Sequence, residues 1–227
     1  MKRVVISDTH IGSKFYKEED LYEFLESEEY DQLILNGDII EFLKIPTFTE
    51  GCMKIIKSVD YGKEIIYIIG NHDRALAKFS GQEMFGIQFK EQYEFTDTGR
   101  KFRIEHGDKY EGGIVHYRTI MKIISVFQDF LERYFIIDVS TWFNNLKINK
   151  RKIKRLWDII DLNNDVDVLI VGHTHLPEAV IWIDENEKIK TYVNSGDWVS
   201  HSTYVEIDNG VVRLRNFFKK TLDNSLK

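Results

Sequence analysis

The sequence predicts a layered α/β protein built around sheet, with a helical insertion in its second half. Three observations predict this. Short apolar runs alternate with helical stretches as far as residue 175. Residues 179 to 217 then alternate and carry turn signals, as hairpins do. Each of five apolar runs stops at a cluster of Gly, Asp, Asn or His, and in layered α/β folds ligands gather beyond the carboxyl ends of strands.

The elements follow in order. Val4, Val5 and Ile6 form a β-branched run that stops at Ser7-Asp8. Residues 18 to 31 carry the acids Glu18, Glu19, Asp20, Glu23, Glu26, Glu28, Glu29 and Asp31, while Leu21, Phe24 and Leu25 recur at helical spacing, so this is an amphipathic helix with a solvated acidic face. Gln32 to Leu35 is the second strand, ending at Asn36-Gly37-Asp38. Pro46 breaks the chain ahead of a helix over 50 to 60. Glu64 to Ile69 is the third strand and ends at Gly70-Asn71-His72-Asp73. Phe102 to Glu105 ends at His106-Gly107-Asp108, and Val166 to Val171 at Gly172-His173-Thr174-His175. Glu185-Asn186-Glu187 and Asn209-Gly210 mark hairpin turns; Asn-Gly suits a type I′ turn because both residues tolerate positive φ.

Residues 110 to 163 are the helical insertion. Ile120, Ile123, Ile124, Phe127, Phe130, Leu131 and Tyr134 keep helical spacing, and Met121 and Val126 widen the stripe beyond one face. A basic run follows, with Lys147, Lys150, Arg151, Lys152, Lys154 and Arg155. The expected organisation is one domain over residues 1 to 227 with this insertion as a cap over the strand ends.

Composition narrows the options. The 227 residues carry 31 Lys and Arg against 37 Asp and Glu, a net charge of −6, with 43% apolar and 30% charged residues. That balance excludes wholesale disorder and argues against general nucleic-acid binding, which is driven by cationic surface. Cys52 is the single cysteine, so an internal disulfide and a multi-cysteine zinc site are both excluded, and a reducing, cytoplasmic compartment is expected. Val4 to Ile6 is too short for a signal-peptide apolar core, and no run approaches the roughly 18 apolar residues of a membrane span.

Five of the seven histidines fall in the strand-ending clusters: His10, His72, His106, His173 and His175; His116 and His201 lie outside. Asp8 and His10 are two apart, as are His173 and His175, so on extended backbone each pair reaches the same side. With Asp38 and Asn71 the inventory is Asp8, His10, Asp38, Asn71, His106, His173 and His175. Imidazole, carboxylate and amide oxygen suit borderline-to-hard divalent metals. Seven ligands exceed one tetrahedral zinc but suit two ions that share a carboxylate and activate water. Manganese is favoured by the oxygen ligands, with iron or zinc as alternatives.

The order Asp-x-His, Gly-Asp, Gly-Asn-His-Asp, His-Gly-Asp, Gly-His-Thr-His, over residues 8 to 175, resembles the calcineurin-like metallophosphoesterases. The resemblance implies a two-sheet sandwich of αββα-type layers with a dinuclear centre at the strand ends. Asp8, His10 and His175 would then hold one ion, Asn71, His106 and His173 the second, and Asp38 would bridge. His72 matches the histidine that faces the phosphoryl group, and Asp73 is the residue expected to orient it. The helical insertion, Gly172-His173-Thr174-His175-Leu176-Pro177 and Asn194-Ser195-Gly196-Asp197-Trp198 resemble the UDP-2,3-diacylglucosamine diphosphatases of lipid A synthesis, which release UMP and a lipid monophosphate and hold acyl chains in the cap. Arg74 stands where those enzymes usually carry an aromatic residue, and Leu176 where they usually carry arginine.

The expected partner is therefore a phosphorylated small molecule or nucleotide-lipid, with peripheral membrane contact through the cap at the inner face of the membrane; no strong signal marks a nucleic-acid or protein partner. Arg74, Lys147, Lys150, Arg151 and Lys154 are the candidate phosphate contacts, since guanidinium and ammonium bind phosphate; the basic run is equally a solvated helix face. A phosphodiesterase, nuclease or small-molecule phosphatase of the same superfamily is the alternative. A Ser/Thr phosphatase is disfavoured, because Gly37-Asp38-Ile39-Ile40-Glu41 lacks the Asp-Arg-Gly continuation. A non-catalytic scaffold is disfavoured because every ligand position is filled.

Overall fold

Val4, Val5 and Ile6 of β1 (Lys2–Ile6) are all buried, as are Leu33, Ile34 and Leu35 of β2 (Gln32–Asn36). A strand that is apolar on both faces must be covered on both. The covering layers are visible in the computed structural model, which describes residues 1–42, 50–110 and 150–217. Alternate side chains divide the core in two. Val4, Ile6, Leu33 and Leu35 pack with Leu21, Phe24 and Leu25 of α1 (Glu18–Ser27) and with Cys52 and Ile55 of α2 (Glu50–Ser58). Val5 and Ile34 face the other way, against Phe102, Ile104, Val168, Ile170 and Val193 of a second sheet.

The remaining strands are β3 (Glu64–Ile68), β4 (Glu83–Met84), β5 (Ile87–Lys90), β6 (Gln92–Asp97), β7 (Arg100–Glu105), β8 (Val168–Val171), β9 (Glu178–Ile183), β10 (Ile189–Asn194), β11 (Thr203–Asp208) and β12 (Val211–Asn216). Seven of them form one sheet in the order β12-β11-β1-β2-β3-β5-β4, and five form the other in the order β6-β7-β8-β10-β9. β1, β2, β3 and β5 run parallel, as do β7, β8 and β10, so each sheet gathers carboxyl ends at one edge. The fold is thus an α/β sandwich of two mixed sheets.

The hairpins form at the expected turns. Ile183 pairs with Ile189 across the first and Asp208 with Val211 across the second, where Asn209 and Gly210 take φ of 48° and 73°. Strands β4 to β6 were not legible in the sequence. β4 and β5 are short and β6 exposes every second residue, so no apolar run announces them.

The chain divides into two compact units. Both sheets, α1 and α2 belong to Met1–Gly107 with Val166–Lys227, and residues Asp108–Asp165 form the other. The latter contains α3 (Lys150–Leu162) and a hydrogen bond from Asn163 Nδ2 to Tyr110 Oη of 2.7 Å. The apolar stripe at 120 to 134 and Lys147 lie outside the described residues, and so does His116. No helix among the described residues is long and apolar enough to cross a membrane.

Candidate metal centre

The loops that leave β1, β2, β7, β8 and β10 are tied to one another by backbone bonds. Asp8 N–H donates to Gly37 C=O (3.1 Å), His10 N–H to Asp38 C=O (3.0 Å), Gly172 N–H to His106 C=O (2.9 Å) and Trp198 N–H to Asp8 C=O (3.1 Å). Side chains add ties. His173 N–H donates to Asp8 Oδ2 (2.9 Å) and His72 N–H to Asp38 Oδ1 (2.7 Å). Trp198 is fully buried against Phe24, which seats the last of these loops on α1.

The backbone is unusual where the candidate ligands sit. Ten non-glycine residues have positive φ among the described residues, and five are Asp8, His10, Asp38, His173 and His175. Such conformations cost about 1–3 kcal/mol each and persist where surrounding structure overdetermines them, which is common at functional sites. Packing is correspondingly tight. A Cβ added to Gly37 would collide with the His106 ring, and one on Gly172 would lie 2.6 Å from Asp8 Oδ2.

All seven sequence-derived ligands lie at this edge. Among the described residues, three groups of His, Asp and Glu have one ligand atom each within 4.8 Å of the others: Asp8, His10 and His175; Asp38, His106 and His173; and His10, Glu41 and His72. Asn71 joins the second, its Oδ1 lying 3.2 Å from His106 Nε2.

The donor set fits a cation. His106 Nδ1 is 3.0 Å from the Asn36 carbonyl, so its proton belongs on Nδ1 and Nε2 keeps its lone pair. That lone pair faces Asn71 Oδ1 and Asp38 Oδ2, each at 3.2 Å. In the same way His10 Nδ1 donates to Glu41 Oε2 (3.1 Å), and its Nε2 faces His175 Nε2 at 3.2 Å. Asp8 Oδ1 is buried without a hydrogen-bond partner and lies 3.4 Å from His175 Nε2. The buried Asp8 Oδ1 and the Nε2 lone pairs of His10 and His175 would repel one another where they converge, and a divalent ion between them would resolve this. The groups behind the rings are the partners that orient metal-ligating histidines elsewhere.

Glu41 was not singled out in the sequence as a site residue. It is 3% exposed and accepts from two imidazoles, His10 Nδ1 and His72 Nδ1, the latter at 2.8 Å and 2.9 Å from its two oxygens. Burial pushes its carboxyl up, but the hydrogen bonds from His10 and His72 outweigh that and hold it well below the usual range. Asp73, expected to orient His72, bonds elsewhere. Its oxygens accept from Tyr67 Oη (2.6 Å), Ile39 N–H (3.0 Å) and Gly70 N–H (2.5 Å), so it pins the β3 loop to the β2 loop. Burial and the nearby Asp38 carboxylate raise it to about 6.

Burial alone would lower His72, but Asp38 and Glu41 raise it to about 9. Arg74 Nη1 is paired with Glu91 Oε2 at 2.9 Å, both side chains about half exposed. Lys150, Arg151 and Lys154 belong to the first turns of α3.

A two-sheet sandwich with Asp, His and Asn gathered at its strand ends is the arrangement that the resemblance to the metallophosphoesterases implies. The profile of the calcineurin-like phosphoesterases matches residues 1–177, and the chain belongs to that family. A UDP-2,3-diacylglucosamine hydrolase from Porphyromonas gingivalis is 24% identical, over 92% of this chain and 95% of its own length. Among solved structures, Vps29 of Chaetomium thermophilum superposes with a TM-score of 0.54 at 12% identity, covering 97% of this chain and 93% of that one, and shares the fold. An archaeal phosphodiesterase gives a TM-score of 0.49 at 17% identity, over 95% and 99% of the two chains.

Proposed function

We propose that this chain is a phosphohydrolase that works with two divalent cations, manganese by preference with iron or zinc as alternatives. The observation that carries this reading is the gathering of two adjacent Asp and His groups at the strand ends, one of them around the buried, unbonded Asp8 Oδ1, beside a histidine held between two carboxylates. Asp8, His10 and His175 would hold one ion and Asn71, His106 and His173 the other, with Asp38 shared. Bound there, the cations supply Lewis acidity to phosphoryl oxygens and make water more acidic.

The chain's own residues do the rest. His72, whose charged form is favoured by Asp38 and Glu41 beside it, can pass a proton to the leaving oxygen. Glu41 takes the Nδ1 proton of that ring in a hydrogen bond and leaves Nε2 as the donating atom, 3.9 Å from Asp38 Oδ2. Asp73 holds the loop that carries His72. Loss of any of these relaxes the placement of the proton donor.

The substrate class we favour is the pyrophosphate of a UDP-2,3-diacylglucosamine-like molecule, cleaved to UMP and a lipid monophosphate. The relative named for that substrate aligns over nearly the full length of both chains, which supports it. On this reading residues 1 to 227 are one domain, the insertion over about 110 to 163 takes the acyl chains, and Arg74 with the basic run at 147 to 154 meets phosphate. The protein then works in the cytoplasm, against the inner face of the membrane.

The test is UMP release from UDP-2,3-diacylglucosamine by manganese-loaded protein in detergent. Release that is lost in His72→Ala supports the full proposal. Cleavage of a generic phosphodiester without UMP release discards the lipid and keeps the chemistry. No cleavage of either by protein that binds two ions overturns the reading as a hydrolase.

A further inference from the structure

Asp197 lies outside the ligand set, yet its two oxygens do two different things. Oδ1 accepts three backbone N–H groups, from Val199 (3.0 Å), Ser200 (2.6 Å) and His201 (3.0 Å), and so closes the turn after Trp198. Oδ2 faces two imidazoles, at 3.1 Å from His201 Nδ1 and 3.3 Å from His175 Nδ1. The carboxylate is almost wholly buried. On the far side of the same ring, His175 Nε2 points at Asp8 Oδ1 (3.4 Å) and His10 Nε2 (3.2 Å).

A carboxylate accepts and never donates while ionised, so Oδ2 requires a proton on Nδ1 of each ring it meets. For His175 that leaves the lone pair on Nε2, aimed at Asp8 and His10. From this we propose that Asp197 is a positioning residue that sets the tautomer of His175, making Nε2 the ligating atom, and that His201 occupies the second lone pair of the same oxygen. The inference rests on the reading of Asp8, His10 and His175 as one ion site. It deepens that reading by tying the residue's role to one atom.

The two roles of Asp197 separate under an isosteric substitution. In Asp197→Asn the amide oxygen satisfies the three backbone donors, so the turn survives. The amide NH₂ is then directed at the two imidazoles and favours a lone pair on Nδ1 of each. The proton of His175 moves to Nε2, the atom that must ligate. A residue that only closed a turn would tolerate this change; a residue that sets the tautomer would not. Partners behind a metal-ligating histidine typically affect metal affinity by 10–100-fold.

Two measurements on the full chain test it. Imidazole nitrogen spectra of metal-free protein, at alkaline pH where the rings are neutral, should place the His175 proton on Nδ1 in the wild type and on Nε2 in Asp197→Asn. Titration with manganese should show about 100-fold weaker binding of one of the two ions in Asp197→Asn, with thermal stability close to wild type, whereas His201→Gln should keep both ions. A wild-type proton on Nε2, or two ions bound by Asp197→Asn at wild-type affinity, overturns the proposal. If Asp197→Asn fails to fold, the wild-type spectrum decides alone. Neither readout requires turnover, so a protein that binds both ions and cleaves nothing would sink the proposed hydrolysis and leave the tautomer assignment standing.

Discussion

Asp38 stands between the two ligand groups. Its Oδ2 is 3.2 Å from His106 Nε2 and 3.9 Å from His72 Nε2, and its backbone carbonyl accepts from His10 N–H. Removing the carboxylate in Asp38→Ala should release or disorder both ions, and metal analysis that still finds two tightly bound ions per chain would refute a shared ligand. His72→Ala should keep both ions and lower kcat by about 10²–10⁴, the usual range for a general acid; a substrate with a poor leaving group, turned over at the wild-type rate, would remove the residue from the chemistry. Away from the centre, Asp167 offers a pH-dependent prediction. Burial would raise its carboxyl, but the Lys101 backbone N–H (2.9 Å) and Lys190 Nζ (3.1 Å) hold it below the ordinary aspartate value. A carboxyl lowered by folding stabilises the native state above its unfolded pKa and loses that contribution as pH falls through the folded one. Asp167→Asn should therefore lower Tm at pH 7, with the difference from wild type closing in strong acid, as thermal melts across pH would show.

At the scale of elements, the decisive features are the turns that follow the strands. The Gly37 turn has φ of 77°, and its α-carbon faces the ring of His106 on a loop of the other sheet. Gly37→Ala should cost about 2–3 kcal/mol through the left-handed backbone and the displaced ring, and should weaken binding of the ion assigned to His106. Urea denaturation and metal titration check the two effects; an unchanged midpoint would show that the ring can move aside freely. Glu41 and Asp73 illustrate what such turns conceal. In sequence Asp73 adjoins His72 and invites pairing with it. In space β3 ends so that Asp73 turns back to Tyr67 and Ile39, while Glu41, 31 positions from His72, arrives beneath the ring. Adjacent side chains on a turn diverge, whereas parallel neighbours β2 and β3 deliver their loops side by side.

At the scale of the whole molecule, one core joins the sheets that each supply half of the site. Phe102 is fully buried, stacks on Phe95 at 4.8 Å and packs in the layer that holds Val5, Ile34, Ile66 and Ile170. Phe102→Ala should cost about 3–5 kcal/mol, and both sheets should still unfold in one transition, since neither has an inner face without the other. Denaturation followed by far-UV signal and by metal release would reveal two transitions if the sheets were independent.

The sequence by itself determined the five apolar runs, the polar cluster at the end of each, α1 and α2, and the two hairpin turns. These features are local. A run of β-branched residues, an i, i+3, i+4 stripe or an Asn-Gly pair carries its signal within a few residues. The chemistry of the site was legible for the same reason, because Asp8 and His10, Asn71 and His72, and His173 and His175 stand close together in the chain. Only the tertiary structure decided that Glu41 and not Asp73 lies against His72, that Asp197 backs His175, and that five candidate ligands take left-handed backbone. Strand order and loop packing set these relations, and a hydrogen bond spanning dozens of residues leaves no local pattern from which it could be read.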